Sequence, residues 1–277
     1  MTNPYLVLDS VTHLEQGHRG KAVHCASHGG VYAGYFAAKM GIGAVILNDA
    51  GIGREAAGLA GVKLLETLGV PAATVSHRSA RIGDGNDGLA RGVLSFVNGP
   101  AGGASLAIGM SCADALARLE QVNLRPAPAP EPLAEARYVA QGGTDKAANI
   151  VVMDSISLVA PEDNGHVIVA ASHGALLGGR PETAVKYPVF AAITCDADRG
   201  IDEAGISRLA ALDARGIAGA CVSAFSARIG DGRSLFEDGY VSVVNETAAG
   251  YGSEIGMSCR ETAALLAAAA RVPPRKS

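Results

Sequence analysis

Two histidines in this sequence stand beside serines, Ser27-His28 and Ser76-His77, and an amide–carboxylate pair, Asn48-Asp49, lies between them. Imidazole titrates near neutral pH, and a carboxylate held against one ring nitrogen orients the ring for proton transfer. Ser79 follows His77 by two residues and supplies a hydroxyl that a neighbouring base can activate. With His28 or His77 as base, Asp49 as its orienting group and Ser79 or a water as nucleophile, the set suits hydrolysis of an amide or lactam bond in a small polar or anionic substrate. The same groups would serve an isomerase or lyase by moving protons. A protein that binds a metabolite without altering it has less need of paired His and Asp.

The segment SARIGDG at 79–85 adds a cation and a turn. Gly83 and Gly85 around Asp84 predict a tight turn, and Arg81 offers a planar fork that fits a carboxylate or phosphate. A clamp between Arg81 and Asp84 or Asp49 would use the same residues to pin the loop. Ser27, Asn48, Arg81 and Asp84, with His173 and Arg228 from a second copy of the pattern, form the substrate-binding set. His28 and His173 precede glycines at strand-to-helix turns, where backbone N–H groups can receive an anion or a developing oxyanion. A serine cap with a locally bonded histidine is the alternative at both places.

NDAGIG at 48–53 is not a GxGxxG fingerprint, so a dinucleotide or P-loop nucleotide is disfavoured and no cofactor is expected. No HExxH or other ligand spacing points to a particular metal. His28, Asp49, His77 and Asp84 could still gather in space around a divalent ion. GMSC at 109–112 and 256–259 leads into helices with capping-box spacing, Ser111 before Asp114 and Ser258 before Glu261. Cys112 and Cys259 then fall in a first helical turn, where the dipole can lower a thiol pKa; capped, half-buried thiols are the plainer expectation.

These residues sit on an internal repeat. ASHGG at 26–30 returns as ASHGA at 171–175, SARIGDG at 79–85 recurs at 226–232, and GMSC recurs in the same order. Ser27 and Ser172 are 145 residues apart, Arg81 and Arg228 147, so the second copy carries a two-residue insertion after its SHG. Repeats of this length mean one fold unit used twice. The expected domains are residues 1–120, a Pro/Ala-rich linker over 121–148 that includes LRPAPAPEPLAEA, and residues 149–277.

Within the first copy, YLVLDS, KAVHCASH, GAVILND, PAATVSH and GVLSFVN read as strands. YAGYFAAKM, REAAGLAGVKLLETLG and CADALARLE read as helices, the second stopped by Gly69. Apolar strands alternating with helices predict an α/β fold: two similar, mostly parallel sheets with helices on both faces, related by a pseudo-twofold axis. Each strand ends in polar residues, and ligands bind beyond the carboxyl ends of parallel strands. Asp9, His28, Asp49, His77 and Asn98 are therefore expected to converge on one crevice. The second copy keeps Asp154, His173, Asp196 and Asn245 but has Cys195 for Asn48 and Ala224 for His77, so the first crevice is the better catalyst.

Composition narrows the classes. Across 277 residues, 48% are hydrophobic and 18% charged, which excludes disorder. With net charge −4, no Trp and no internal basic run, a nucleic-acid binder is not expected. No apolar stretch has the length of a membrane span, and the amino terminus lacks the layout of a signal peptide. Five cysteines without CxxC pairing fit free buried thiols in a cytoplasmic protein, with a homo-oligomer left open.

Overall fold

The computed structural model describes residues 5–143 and 147–270. The chain forms two compact units. The first comprises Met1–Ala134 with two short segments from the second half of the sequence, Leu177–Gly179 and Asp198–Ala204. The second comprises Glu135–Leu176, Arg180–Ala197 and Gly205–Ser277.

The first unit holds a five-stranded sheet, in spatial order β1 (Val7–Leu8), β2 (Ala22–His28), β3 (Ala44–Asn48), β4 (Ala72–Val75) and β5 (Leu94–Val97). Strands β1 to β4 are parallel and β5 is antiparallel. The second unit holds β6 (Arg137–Gln141), β7 (Ile150–Met153), β8 (Val167–His173), β9 (Ala191–Cys195), β10 (Ala218–Val222) and β11 (Val241–Val244). Its order from β7 to β11 repeats that of β1 to β5, with β11 again antiparallel. The fold is thus α/β, with two mixed, mostly parallel sheets. One departure lies in the expected linker: residues 137–141 are not an extended spacer but the strand β6, paired antiparallel with β7.

Alternation along β3 shows how the first sheet is covered. Val45 and Leu47 pack with Ala33 and Ala37 of α1 (Val31–Lys39) and Val62 and Leu65 of α2 (Ala60–Thr67). Ala44 and Ile46 point the other way, onto Ala115, Leu116 and Leu119. Burying each such Val, Ile or Leu side chain contributes about 1.5–3 kcal/mol. A strand buried on both faces must be apolar throughout, which is why β3 and β8 read as unbroken runs.

The direction of β5 has a local cause. The chain leaves β4, makes the SARIGDG turn and runs through α3 (Gly85–Arg91), then re-enters beside Ser76, whose N–H donates to the Val93 carbonyl at 2.9 Å. A parallel strand would need a crossover back to the other end of the sheet, and this connection supplies none. Asn98 therefore lies at the opposite end from Asp49 and His77, and the expectation that five strand ends converge is corrected to four. There Asn98 caps α4 (Gly99–Gly103) and bonds the Ala72 N–H and the Val70 carbonyl. Asn245 repeats this role, capping α8 (Glu246–Gly250) and binding the Gly219 N–H and Ile217 carbonyl.

The remaining helices are α5 (Cys112–Glu120), α6 (Arg208–Asp213), α7 (Gly232–Asp238) and α9 (Cys259–Ala269). Ser111 and Ser258 cap α5 and α9 as their spacing predicts. Residues 54–59, expected to open α2, instead form an irregular turn with Glu55 and Ala56 in the left-handed region. Gly58 rests there against the Asp49 carbonyl, where a Cβ would collide.

The two-residue insertion marks a real divergence. In the first unit α1 and α2 approach so closely that a Cβ on Gly34 would meet the backbone of Gly61. Between β8 and β9 of the second copy there is no α-helix, only short 3-10 turns at Leu177–Gly179 and Pro181–Thr183. The place of Gly61 is taken by Arg208, 2% exposed, which donates to the carbonyls of Ala175, Thr183 and Ala184. A guanidinium thus satisfies loop carbonyls that no helical ladder satisfies.

Candidate functional site

Asp49 directly follows β3 and His77 follows its parallel neighbour β4 by two residues, so sheet pairing alone brings them side by side. Asp49 Oδ1 accepts three hydrogen bonds: from His77 Nδ1 at 2.8 Å, from the His77 backbone N–H at 2.9 Å and from the Gly51 N–H at 3.1 Å. Its side chain is only 3% exposed. Burial works against the Asp49 charge, but the bonds from His77 and Ser95 outweigh it and hold the carboxyl below its usual value.

The other ring nitrogen has a partner that no sequence pattern announced. His77 Nε2 lies 2.9 Å from Asp198 Oδ2, so the imidazole is held between two carboxylates. Arg78 approaches from the exposed side, with Nη2 3.7 Å from Asp198 Oδ2. Burial again opposes the charge, and the hydrogen bonds and charges of Asp49 and then Asp198 overcome it, so the His77 pKa is raised. With both ring nitrogens facing carboxylate oxygens, the doubly protonated imidazolium satisfies both carboxylate contacts, and Arg78 Nε also lies 3.4 Å from Nε2.

Asp198 is carried by a turn whose backbone is left-handed from Ala197 to Gly200, with φ between 48 and 69°. The first copy makes the same turn with Ala50-Gly51-Ile52-Gly53. Non-glycine residues adopt this region at a steric cost and persist there where surrounding bonds impose it. Here the Ile201 N–H donates to the His77 carbonyl at 2.8 Å. Asp202 meets Arg81 Nε at 3.0 Å and Arg91 Nη2 at 2.5 Å.

The other expected site residues take distinct positions. Arg81 lies among Asp84, Asp87 and Asp202, with Nη1 3.6 Å from Asp84 and 3.7 Å from Asp87. That is the geometry of a loop clamp. Asp84 caps α3 through the Asp87 N–H, and Asp9 accepts from Gly85 N–H, tying the turn to the end of β1. Arg228 makes a two-point contact with Asp231 Oδ2. Ser79 Oγ donates to the Ser76 carbonyl and accepts from the Val93 N–H, and Ser226 does the same with Ser223 and Tyr240.

Ser27 Oγ accepts from the Val11 N–H, and Asn48 bridges the Ala50 N–H and the Ala80 carbonyl. His28 Nδ1 accepts from the Gly30 N–H at 3.1 Å, and burial pulls its pKa down to about 4, so it is neutral at pH 7. His173 makes the equivalent contact with the Ala175 N–H at 3.3 Å. In the second unit the buried Asp196 accepts from the Ala224 N–H and from Ser242 Oγ, with no imidazole at the position of His77.

Asp49 and Asp198 approach His77 on opposite edges of the ring, so they do not converge on one ion. Among the described residues no group of His, Cys, Asp or Glu is arranged to hold a metal. Cys112 and Cys259 are fully buried, and burial pushes both thiols up to about 12, overcoming any effect of the helix dipole. A cleft of about 620 Å³, lined by Tyr5, Lys21, Glu120 and Asn123 among others, opens at the end of the first sheet opposite His77 and holds none of the expected site residues. Among the described residues no helix is long and apolar enough to cross a membrane. Comparison with protein-family models, with curated proteins and with solved structures gives no match.

Proposed function

We propose that the protein is a small-molecule enzyme whose proton-transfer group is His77, oriented by Asp49. The observation that carries this reading is the buried Asp49–His77 pair at a parallel strand end, with the His77 pKa raised and that of His28 lowered to about 4. Two like groups driven apart in this way supply an acid and a neutral base or hydrogen-bond partner to one crevice. Strands β2 and β4 flank β3, so the two histidine backbones stand about 10 Å apart, a span that suits a small substrate.

Hydrolysis of an amide or lactam bond is the leading reaction, with His77 as the acid that protonates the departing nitrogen. Because both bonds of Ser79 Oγ go to backbone groups, a water is the nucleophile in this reading. Proton transfer in an isomerase or lyase would use His77 and Asp49 in the same way. Five buried cysteines outside any disulfide fit a cytoplasmic setting.

The test is a thermal-shift screen of small carboxylates, amides and lactams, with each hit followed for product by mass spectrometry. For a turned-over hit, His77→Ala and Asp49→Asn should each lower kcat by about 10²- to 10⁴-fold, while Asp196→Asn leaves it within threefold or so of the parent. Turnover that survives His77→Ala would defeat the proposal.

A further inference from the structure

Several positions distinguish the centre around His77 from its counterpart, Asn48 against Cys195 among them, and three of these lie at the outer edge of the imidazole. His77 stands where the second copy has Ala224, Arg78 where it has Phe225, and Asp198 where the first copy has Gly51. These three residues meet: Asp198 Oδ2 lies 2.9 Å from His77 Nε2 and 3.7 Å from Arg78 Nη2. Part of the framework around them keeps its residue types in both copies, as Asp49 and Asp196, Ser79 and Ser226, Arg81 and Arg228 show, while Asn48, Asp87 and Arg91 are matched by Cys195, Ser234 and Asp238. Divergence has thus placed two cationic side chains and one carboxylate together at this spot.

His77 Nε2 within hydrogen-bond distance of Asp198 Oδ2 and a guanidinium 3.7 Å from the same oxygen, its Nε 3.4 Å from that ring nitrogen, place two cationic groups where they can recognise a carboxylate. The two carboxylates now on His77 differ in kind. Asp49 is 3% exposed and accepts backbone bonds as well, whereas the Asp198 side chain is 25% exposed. Asp198 also adopts φ 55°, which the glycine of the first copy takes without steric cost. Arg81 is not the anion receptor, since Asp84, Asp87 and Asp202 already surround its guanidinium.

We infer that His77 Nε2 and Arg78 form a carboxylate-binding subsite, which Asp198 occupies in this structure and which a small carboxylate substrate takes over by displacing it. This rests on His77 being the functional centre, but requires no turnover. Displacement turns the Asp198 side chain towards solvent, while the Ile201 N–H bond to the His77 carbonyl holds the turn in place.

The experiment uses Asp198→Gly, which installs the residue that the first copy carries there and so suits the left-handed backbone. Acetate is titrated while the His77 imidazole is followed by ¹H–¹⁵N correlation spectroscopy, with acetamide as neutral isostere and chloride at matched ionic strength. Acetate should bind the variant saturably, and about tenfold or more weakly in the parent, where Asp198 competes for the subsite. Acetamide should bind about tenfold more weakly than acetate, and adding Arg78→Ala should weaken acetate by about three- to tenfold.

The inference is overturned if acetate moves the variant's His77 signals no more than chloride does, or if parent and variant bind acetate equally. Should Asp198→Gly fail to fold, Asp198→Asn carries the same titration. Absence of turnover in the substrate screen would leave acetate binding intact, and absence of acetate binding would leave proton transfer by His77 standing, so the two failures are distinguishable.

Discussion

His77 Nε2 and Asp198 Oδ2 lie 2.9 Å apart although 121 residues separate them in the chain. The imidazole on which the functional reading rests is thus completed by the second copy of the repeat. Substitutions that make the copies unequal, His77 against Ala224 and Asp198 against Gly51, are joined in one pair.

Stability should depend on pH through this pair. His77 has its folded pKa raised above the ordinary 6.5, so its contribution is full below about pH 6.5 and is lost as pH rises through the folded value. Asp49 has its pKa lowered from 3.8, so its contribution is present above about pH 3.8 and is lost as pH falls through the folded value. Melting temperature should therefore be highest between roughly pH 4 and 6.5 and decline on the alkaline side. His77→Ala should flatten that alkaline decline. It should also lower stability by about 3 kcal/mol at pH 6, because Asp49 is left buried without its partner. An unchanged alkaline limb would contradict the linkage.

Arg208→Ala should destabilise the second unit by about 3 kcal/mol or more, since several buried carbonyls lose their donor together. Burial lowers the Arg208 pKa to about 10, so it stays charged at neutral pH. Arg208→Lys should recover part of the loss. Urea unfolding of the three proteins decides this, and a loss below about 1 kcal/mol for the alanine variant would show that water replaces the guanidinium.

Gly88→Ala tests the packing of α3. Its Cβ would meet the imidazole of His24, whose Nδ1 bonds the Ile46 carbonyl and whose Nε2 is buried without a partner. Overpacking of this kind costs about 1–3 kcal/mol. A double-mutant cycle with His24→Ala should show coupling of about 1 kcal/mol, and strict additivity would argue that the helix simply shifts.

Arg81→Ala should lower the melting temperature by less than about 4 °C, because its network is half exposed and screened by solvent. Acetate binding to Asp198→Gly should survive it. A loss of anion binding with Arg81 would instead restore this arginine as the receptor.

Much of the fold was legible because burial writes itself into sequence. β3 and β8 are covered on both faces and read as continuous apolar runs, and CADALARLE coincides with α5 because Ser111 announces its cap. Strand direction is not written in periodicity, so GVLSFVN is legible as the strand β5 but its antiparallel run, and with it the place of Asn98, is not. The helices α3 and α4 were hidden by glycines, and at Gly88 the contact with His24 explains why. Asp49 and His77 could be named as partners because each ends a strand. Asp198 could not, since its partner lies in the other copy, although its mismatch with Gly51 was visible in the repeat.

The most direct measurement is the pKa of the His77 imidazole, read from its ¹⁵N resonances across pH 4 to 10 or so in the parent, Asp49→Asn and Asp198→Gly proteins. A parent value above 6.5 that falls in both variants is the result expected of an imidazolium held between two carboxylates. A parent value at or below 6.5, or one that neither substitution moves, would contradict it.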